Sequence, residues 1–573
     1  MIVLLENVPD HARYDIVVAG AGAAGMAAAL YAAIAGKKVL LVERTEFLGG
    51  TTALSAGTVW APNTRHAAGS GDSPEQAARF LDNVIGNYAR PSMRRAFLES
   101  APDAVATLED HTDVKFRPYP LHPDYVQEVE GATVRGRALE PLPFDGRKLG
   151  KAFGILRAPI PEFTVFGGMM VNRGDIDHLM KLTKSGASFL HAVKLLARHA
   201  LDRTSYPRGT RLVMGNALAA RFVMSLLKHD IDVVLETAVA TLQSTEGAVT
   251  GLTLTSGNVT RNIDVSAAVI LAGGGFTQHP TRRNEMLPKP VPTFTPVAPG
   301  HTGELQDLAI KLGARFGEGN LDNAFWSPVS LRKRADGSTA VFPHFVLDRS
   351  KPGTVCVNAN GKRFVNEATD YHLFTRAMFE AHRRSPSIPA FLIADAVALR
   401  RYGLGMVRPG GYGLKPFLAD GYLTRGATLR ELAQKLSIDA DNLARTIAVM
   451  NGYAKTGIDP EFGRGTTPYH RAAGDPTVKP NPNLGPIATA PFYAVRLMPG
   501  DIGAANGLVT GDDAQVLGFN DRPIARLYAC GNDMQSVMAG TYPGPGITLG
   551  PAITFAYRAV RHALSAANGQ DAQ

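Results

Sequence analysis

The stretch Tyr14–Gly25, "YDIVVAGAGAAG", decides the fold. Its first six residues form a short run rich in β-branched side chains, typical of a buried parallel strand. Gly20, Gly22 and Gly25 then follow in G-x-G-x-x-G spacing, with Ala23 and Ala24 between the last two. Helix formers, "MAAALYAAIAGKK", continue to about Gly36, and a second strand, "KVLLVE", ends on Glu43. A βαβ unit with an acid at the end of its second strand is a dinucleotide-binding pattern. Gly20 permits the tight turn, Gly22 lets backbone approach a pyrophosphate, and Gly25 lets helix and strand close up. The helix N-terminus offers free N–H groups to phosphate oxygens, and Glu43 can accept from a ribose hydroxyl.

The next segment chooses between dinucleotides. "FLGGTTALSAG" (Phe47–Gly57) follows Glu43 and Arg44 closely. Gly49 and Gly50 allow backbone contact, Thr51, Thr52 and Ser55 supply small hydroxyls for diphosphate and ribityl oxygens, and Gly57 ends the segment as a further cofactor-binding candidate. An extended FAD needs this second cradle and NAD does not. The segment has no histidine, so the expected FAD is non-covalent.

Working outward, "HDIDVVLETAV" reads as a helix end, a strand and a turn that brings Val239 to the adenine. "LTLTSGNVTRNIDVSAAVILAGGGF" reads as a hairpin and a buried strand that ends at Gly273. "RLYACGND" is another strand, running into Gly531 and Asn532. Ligands in open α/β sheets bind beyond the carboxyl ends of the strands, so these glycine-ended strands share one crevice. The fold class is therefore α/β: a discontinuous Rossmann-like FAD-binding domain with an inserted α+β catalytic cap. The expected division is 12–298 and 487–565 for the FAD-binding domain and 299–486 for the cap. Within the cap, "VNANGKRFVNE" predicts a hairpin turning at Asn360-Gly361. "TLRELAQKLSIDADNLARTIAVMNGYAKTG" predicts two helices, the second capped by Asp439 or Asp441.

"SVMAGTYPGPGITLGPA" (Ser536–Ala552) lies just after the last glycine-ended strand, hence beside the flavin. It opens a helix, with the N–H groups of Ile547, Thr548 and Leu549 at its start, where negative charge on a reduced flavin is stabilised. Pro543 and Pro545 pre-set the backbone. Gly546 can aim its own N–H at a substrate, and Tyr542 stands four residues upstream.

These strings, with "VNANGKRFVNEATDY", "PFYAV", "GLVT" and "LYACGN", resemble the fumarate reductase/succinate dehydrogenase flavoprotein superfamily. Within it, "NE" followed by a tyrosine together with "YPGPG" resembles the 3-ketosteroid Δ1-dehydrogenase branch and its cyclic-ketone relatives. The resemblance implies α,β-desaturation of a ring ketone, with a tyrosine taking the α-proton and flavin N5 the hydride. It implies Tyr371 as the base, Tyr542 and Gly546 as the pair that holds the ketone oxygen, and Tyr125 of the "PDY" string as helper. Tyr119 lies near that string, and His372 follows Tyr371; both are further candidates. A fumarate-type reductase is the rival of the same fold, although no string supplies cations for two carboxylates. A non-catalytic electron-transfer subunit is the rival of another class.

Composition fits this reading. The chain has 573 residues, 45% of them hydrophobic, with a net charge of +9. No apolar run reaches the roughly 18 residues of a membrane span. The first residues lack a basic segment of the secretory kind. Cys356 and Cys530 have no metal-like spacing, so neither metal nor disulfide is expected, and a cytoplasmic location is. The basic residues are scattered, which argues against nucleic acid. The expected partners are a hydrophobic ketone and a separate, unidentified electron acceptor. "SFLHAVKLLARHAL", within 186–230, predicts a helix packed on the FAD-binding domain; the alternative is an apolar access route at a membrane surface.

Overall fold

The strand Ala12–Ala19 is the centre of the molecule because its apolar residues face covered layers on both sides; Ile16, Val17 and Val18 have no exposed surface. In this computed structural model, which describes residues 2–181, 185–292, 294–345, 348–567 and 569, it pairs in parallel with Val39–Val42 on one side and Val259–Leu271 on the other. The nine-stranded sheet runs in the order Ile2–Val3, Asp232–Val234, Val39–Val42, Ala12–Ala19, Val259–Leu271, Ala248–Ser256, Pro523–Ala529 and Gln515–Leu517. Ala238–Thr245 pairs with Ala248–Ser256, and Val259–Leu271 also pairs with Pro523–Ala529. The last strand in sequence thus returns to the sheet after the long insertion.

The alanines of helix Ala23–Ile34 let neighbouring helices approach closely, and Leu549–Ala567 packs directly on it. The hairpin of Ala248–Ser256 and Val259–Leu271 forms as the sequence predicts.

A second, six-stranded sheet forms the cap, in the order Thr339–Pro343, Ala324–Lys333, Phe492–Ala504, Ala390–Ala394 and Thr354–Val357, with Thr424–Gly426 also on Phe492–Ala504. The expected boundary at 486 assigns Phe492–Ala504 to the returning FAD-binding half. The structure instead pairs this strand with Ala324–Lys333 and Ala390–Ala394, so the cap sheet extends past 486.

Two further expectations are corrected. In "VNANGKRFVNE" the turn forms, Asn358 N–H donating to the Lys362 carbonyl at 3.0 Å, but only Thr354–Val357 is a strand. The second arm fails because Arg363 and Glu367 turn inward to a buried ion network. Arg363 lies 2.8 Å from Glu367 and 2.9 Å from Asp459, and Arg464 lies 3.1 Å from Glu367. The helix Gly186–Asp202 does not bury its apolar face: Phe189, Leu190, Val193 and Leu201 are exposed, while Leu195 packs in a small cluster with Met169 and Val171. It is Met214–Lys228, also within 186–230, that is buried in the main core.

The two cap helices are Leu429–Leu436 and Ala440–Thr456. Asp439 caps the second, accepting from Asn442 N–H at 2.8 Å, and Asp441 pairs with Arg430. Both cysteines are buried free thiols. Among the described residues no helix is long and apolar enough to cross a membrane.

Candidate active site

The turn after Ala19 is built for close approach. A Cβ on Gly25 would lie 1.8 Å from the Gly20 carbonyl oxygen, whereas one on Gly22 would meet nothing within 4 Å. One side of the turn is packed and the other is open. Glu43 is buried and fixed: Oε2 accepts from Ala21 N–H at 2.9 Å and Oε1 from Thr45 N–H at 2.9 Å. Arg44 pairs with Glu304 at 3.0 Å and donates to Thr302 Oγ1. Val239 is buried, and the backbone before it is tied to this corner, Thr237 N–H donating to the Glu43 carbonyl.

The second cradle is braced from within by its own hydroxyls. Thr52 Oγ1 accepts from Ala23 N–H at 3.1 Å, and Thr51 Oγ1 accepts from Ala298 N–H at 3.0 Å. Ser55 Oγ donates to the Thr52 carbonyl at 2.8 Å and accepts from Gly57 N–H at 2.9 Å. All three hydroxyls hold the protein together here, so they shape the wall of the cradle. Gly57 has φ +70°, and a Cβ there would lie 2.7 Å from Gly215 Cα. The approach of helix Met214–Lys228 demands that glycine. Gly50 faces Gly22 across the opening: a Cβ on it would lie 3.3 Å from Gly22 Cα.

At the strand ends, both oxygens of Asp533 accept backbone N–H groups, from Gly273 and Gly275. Burial pushes this carboxyl up to about 6. A narrow crevice lies beside it, lined by Phe325, Gly531, Asn532, Ile547 and Thr548 among others. Ala24 closes one end, 2.9 Å from where a Cβ on Gly531 would be. Leu549 begins the helix Leu549–Ala567, whose first bonds run from Gly550 N–H to Gly546 O and from Ala552 N–H to Thr548 O.

Next to the crevice three distant segments bring their tyrosines together. Tyr371 is the first residue of helix Tyr371–His382. Asp370 caps that helix, its Oδ1 accepting from His372 and Leu373 N–H, both at 2.9 Å. Tyr125 Oη donates to Tyr371 Oη at 3.2 Å. The Tyr542 ring stacks on Tyr125 with centroids 5.6 Å apart and lies edge-on to Tyr371 at 5.1 Å. One backbone bond fixes this arrangement, Tyr125 N–H donating to the Pro543 carbonyl at 2.8 Å. Phe325 links cluster and crevice, 5.4 Å from Tyr542. Burial pushes the Tyr125 and Tyr371 phenols well above their usual range and Tyr542 up to about 12.

Gly546 has φ +91°, and a Cβ on it would lie 2.3 Å from the Thr58 carbonyl oxygen. That glycine is required by the strand Val59–Trp60, whose Trp60 N–H bonds the Gly546 carbonyl at 3.1 Å.

The FAD binding domain family matches residues 15–549. The chain belongs to that family. The flavoprotein is 35% identical to 4-oxocyclohex-2-ene-1-carboxylate 5-dehydrogenase of Sinomonas cyclohexanicum, over 97% of this chain and 95% of that one. It is 36% identical to 3-oxosteroid 1-dehydrogenase of Mycolicibacterium smegmatis, over 96% of each chain. Its fold superposes with a TM-score of 0.90 on 3-ketosteroid Δ1-dehydrogenase from Sterolibacterium denitrificans, crystallised with 1,4-androstadiene-3,17-dione. That match is 35% identical and covers 97% of this chain and 100% of that one. The flavoprotein is thus an FAD-dependent oxidoreductase acting on a CH–CH group.

The residues present fit FAD. The open side of Gly22 leaves room for a diphosphate at a helix N-terminus. His301, whose Nε2 lies 3.2 Å from Thr51 Oγ1 and whose ring packs against Gly274, keeps a buried Nδ1 with no hydrogen-bond partner among the described residues. No spacing in the sequence marked His301.

Sequence reasoning also missed Tyr469, whose ring lies 4.8 Å from Tyr125, and Phe345, 5.0 Å from Tyr371. Both come from cap segments without a motif. Asp124 of the "PDY" string was passed over too. It accepts from Trp60 Nε1 at 2.8 Å and pairs with Arg137 at 2.8 Å, and so anchors the loop that carries Tyr125. Tyr119 lies outside the cluster, against His122. The His372 ring lies 5.8 Å from that of Tyr542; its Nδ1 accepts from Trp326 N–H at 3.2 Å, and Nε2 lies 3.3 Å from Asp322.

Proposed function

We propose that the flavoprotein introduces a double bond next to the carbonyl of a ring ketone, most readily a 3-ketosteroid, and that the three tyrosines carry the chemistry. FAD, when bound, supplies the hydride acceptor. Tyr371 takes the α-proton. A phenol is a base only when its own proton has somewhere to go; burial holds the Tyr371 proton tightly, and Tyr125, its hydroxyl 3.2 Å away, is the group placed to relay that proton as the α-proton arrives. Tyr542 Oη and the Gly546 N–H hold the ketone oxygen, stabilising the enolate as it forms. Water is kept out by the aromatic walls of Phe325, Phe345 and Tyr469.

The observation that carries this reading is the Tyr125–Tyr371–Tyr542 cluster beside the flavin crevice. A 3-ketosteroid is favoured because the fold superposes with a TM-score of 0.90 on a 3-ketosteroid Δ1-dehydrogenase crystallised with 1,4-androstadiene-3,17-dione. The ketone of the Sinomonas relative is the second candidate. Anaerobic mixing of the holoenzyme with androst-4-ene-3,17-dione, and separately with cyclohexanone-type ketones, tests the proposal. The flavin absorbance should bleach with the steroid; bleaching by neither class overturns it.

We infer, too, that helix Gly186–Asp202 rests on a lipid surface. Phe189, Leu190, Val193, Leu196 and Leu201 are exposed at helical spacing, with Lys194 and Arg203 among them. Co-sedimentation with anionic vesicles should fall when Phe189 and Leu190 are both changed to Ser. Equal sedimentation of wild type and variant removes this reading.

A further inference from the structure

We propose that His372 is a positioning residue: as a neutral imidazole it fastens the helix of Tyr371 to the strand of Phe325 and to the turn that presents Tyr542. The inference rests on the dehydrogenase reading above, in which Tyr371 takes the α-proton and Tyr542 holds the ketone oxygen.

Three elements meet at this ring. His372 lies in the first turn of helix Tyr371–His382 and is 1% exposed. Opposite it, strand Ala324–Lys333 pairs with Phe492–Ala504 across a bulge: Phe325 pairs with Gly503 and Trp326 with Asp501, so Ile502 is passed over. At that bulge Trp326 N–H donates to His372 Nδ1 at 3.2 Å. A bulge bends the strand pair and re-aims the side chains beside it. Here Phe325 is aimed edge-on at Tyr542, with centroids 5.4 Å apart.

The third element is the turn before Tyr542. Leu321 N–H donates to the Ala539 carbonyl at 2.9 Å, and a Cβ on Gly540 would lie 2.0 Å from the Asp322 carbonyl oxygen. The backbone at Asp322 is thus seated on the residues that lead into Tyr542. Its Oδ2 lies 3.3 Å from His372 Nε2 and 2.9 Å from Arg376 Nε, one turn further along the same helix. The His372 ring flanks the Tyr542 ring directly, at 5.8 Å.

The bond at Nδ1 dictates the state of the ring. A nitrogen that accepts from a backbone N–H carries no proton, so the neutral ring keeps its proton on Nε2, on the Asp322 side. A second proton, on Nδ1, would set donor against donor at Trp326 and release the helix from the bulge. The charged groups around the ring are Asp322 and Arg376 at Nε2, and Asp370, which caps the same helix. Asp501, opposite Trp326, is engaged by Arg283 at 2.6 Å. Tyr371 and Tyr542 are the neighbouring phenols. A misplacement of about 1 Å between reacting groups costs on the order of 10²-fold in rate. Flavin reduction therefore has an acid limb that belongs to His372.

The test is anaerobic flavin reduction of the holoenzyme by androst-4-ene-3,17-dione across pH, with the limiting rate separated from the ketone Kd. His372→Leu offers Trp326 N–H no acceptor. It should lower the limiting rate about 10²-fold while the ketone Kd changes by less than about threefold. His372→Asn places an amide oxygen where Nδ1 stood. It should recover about tenfold of that loss and show no acid limb. An amide is no base, so this recovery separates positioning from proton abstraction. His372→Gln, whose amide reaches the Asp322 side instead, should recover less. Flavin content and thermal midpoint identify a variant that fails to fold; if His372→Leu does, the comparison of His372→Asn with His372→Gln decides. A second measurement needs no ketone: nitrogen NMR of histidine-labelled protein, with the His372 signals identified by their loss in His372→Asn, should show the Nε2-protonated tautomer at neutral pH. If no ketone bleaches the wild-type flavin, the dehydrogenase reading falls and this measurement still stands. A proton found on Nδ1, a wild-type rate in His372→Leu, an unchanged acid limb in His372→Asn, or no advantage of His372→Asn over His372→Gln overturns the proposal.

Discussion

Tyr371 and Tyr542 are one oxygen atom away from phenylalanine, and that atom carries the proposed chemistry. Tyr371→Phe should slow flavin reduction by about 10²- to 10⁴-fold, the usual contribution of a positioned base. Tyr542→Phe should cost about 10²- to 10³-fold, as for loss of one donor to a developing oxyanion. Both should keep the wild-type thermal midpoint to within a few degrees, because ring packing survives. Stopped-flow flavin reduction by the best ketone checks this, and a variant that loses stability but not rate returns its tyrosine to the core. His372, adjacent in sequence, already accepts from Trp326 N–H at Nδ1, which leaves only Nε2, 3.3 Å from Asp322, to compare with the Tyr371 oxygen as a base.

At the scale of elements, the loop "YPGPG" is held by backbone rather than by its side chains. Gly546→Ala would place a methyl 2.3 Å from the Thr58 carbonyl at a φ of +91°. It should therefore destabilise the fold by about 3 kcal/mol or more, whether or not a ketone is present; a normal thermal midpoint would refute that. The short helix Pro468–Ala473 gives a pH signature. Burial, with Arg464 nearby, holds His470 down at about 4 against an ordinary 6.5. Between pH 6.5 and 4 the unfolded chain takes up a proton that the folded one refuses. This histidine's contribution is therefore complete above about 6.5 and is lost as pH falls, to a total of about 3 kcal/mol. Thermal midpoints across that range should fall less steeply for His470→Gln than for wild type; parallel curves would contradict the assignment. The elements that the sequence made legible were those whose constraint is local: the glycine turn at Gly20–Gly25, the hairpin before Gly273, the Asp439 cap. The second arm at Lys362–Glu367 was misread because its fate is set by Asp459 and Arg464, about a hundred residues away.

For the whole molecule, the discontinuous nucleotide fold followed from strand ends that all carry glycine. The place where the chain leaves the cap did not follow, because Phe492–Ala504 reads as a strand in either sheet and only tertiary pairing assigns it. Tyr125, Tyr371 and Tyr542 stand in recognisable strings and meet in the folded chain; Tyr469 and Phe345, which join them, and His301, beside Thr51, stand in none. The cradle segment Phe47–Gly57 has no histidine to form a flavin bond, so acid precipitation should leave FAD in the supernatant, with a colourless pellet. Yellow colour retained in the pellet would mean a covalent bond. The central claim is that this cluster and its flavin desaturate a ring ketone. It is tested most directly by a single anaerobic turnover of the holoenzyme with androst-4-ene-3,17-dione, followed by mass spectrometry of the steroid. The account predicts one equivalent of a product lacking two hydrogens for each flavin bleached, and none with Tyr371→Phe on the same timescale. Steroid recovered unchanged, with flavin reduced instead by succinate, would contradict it.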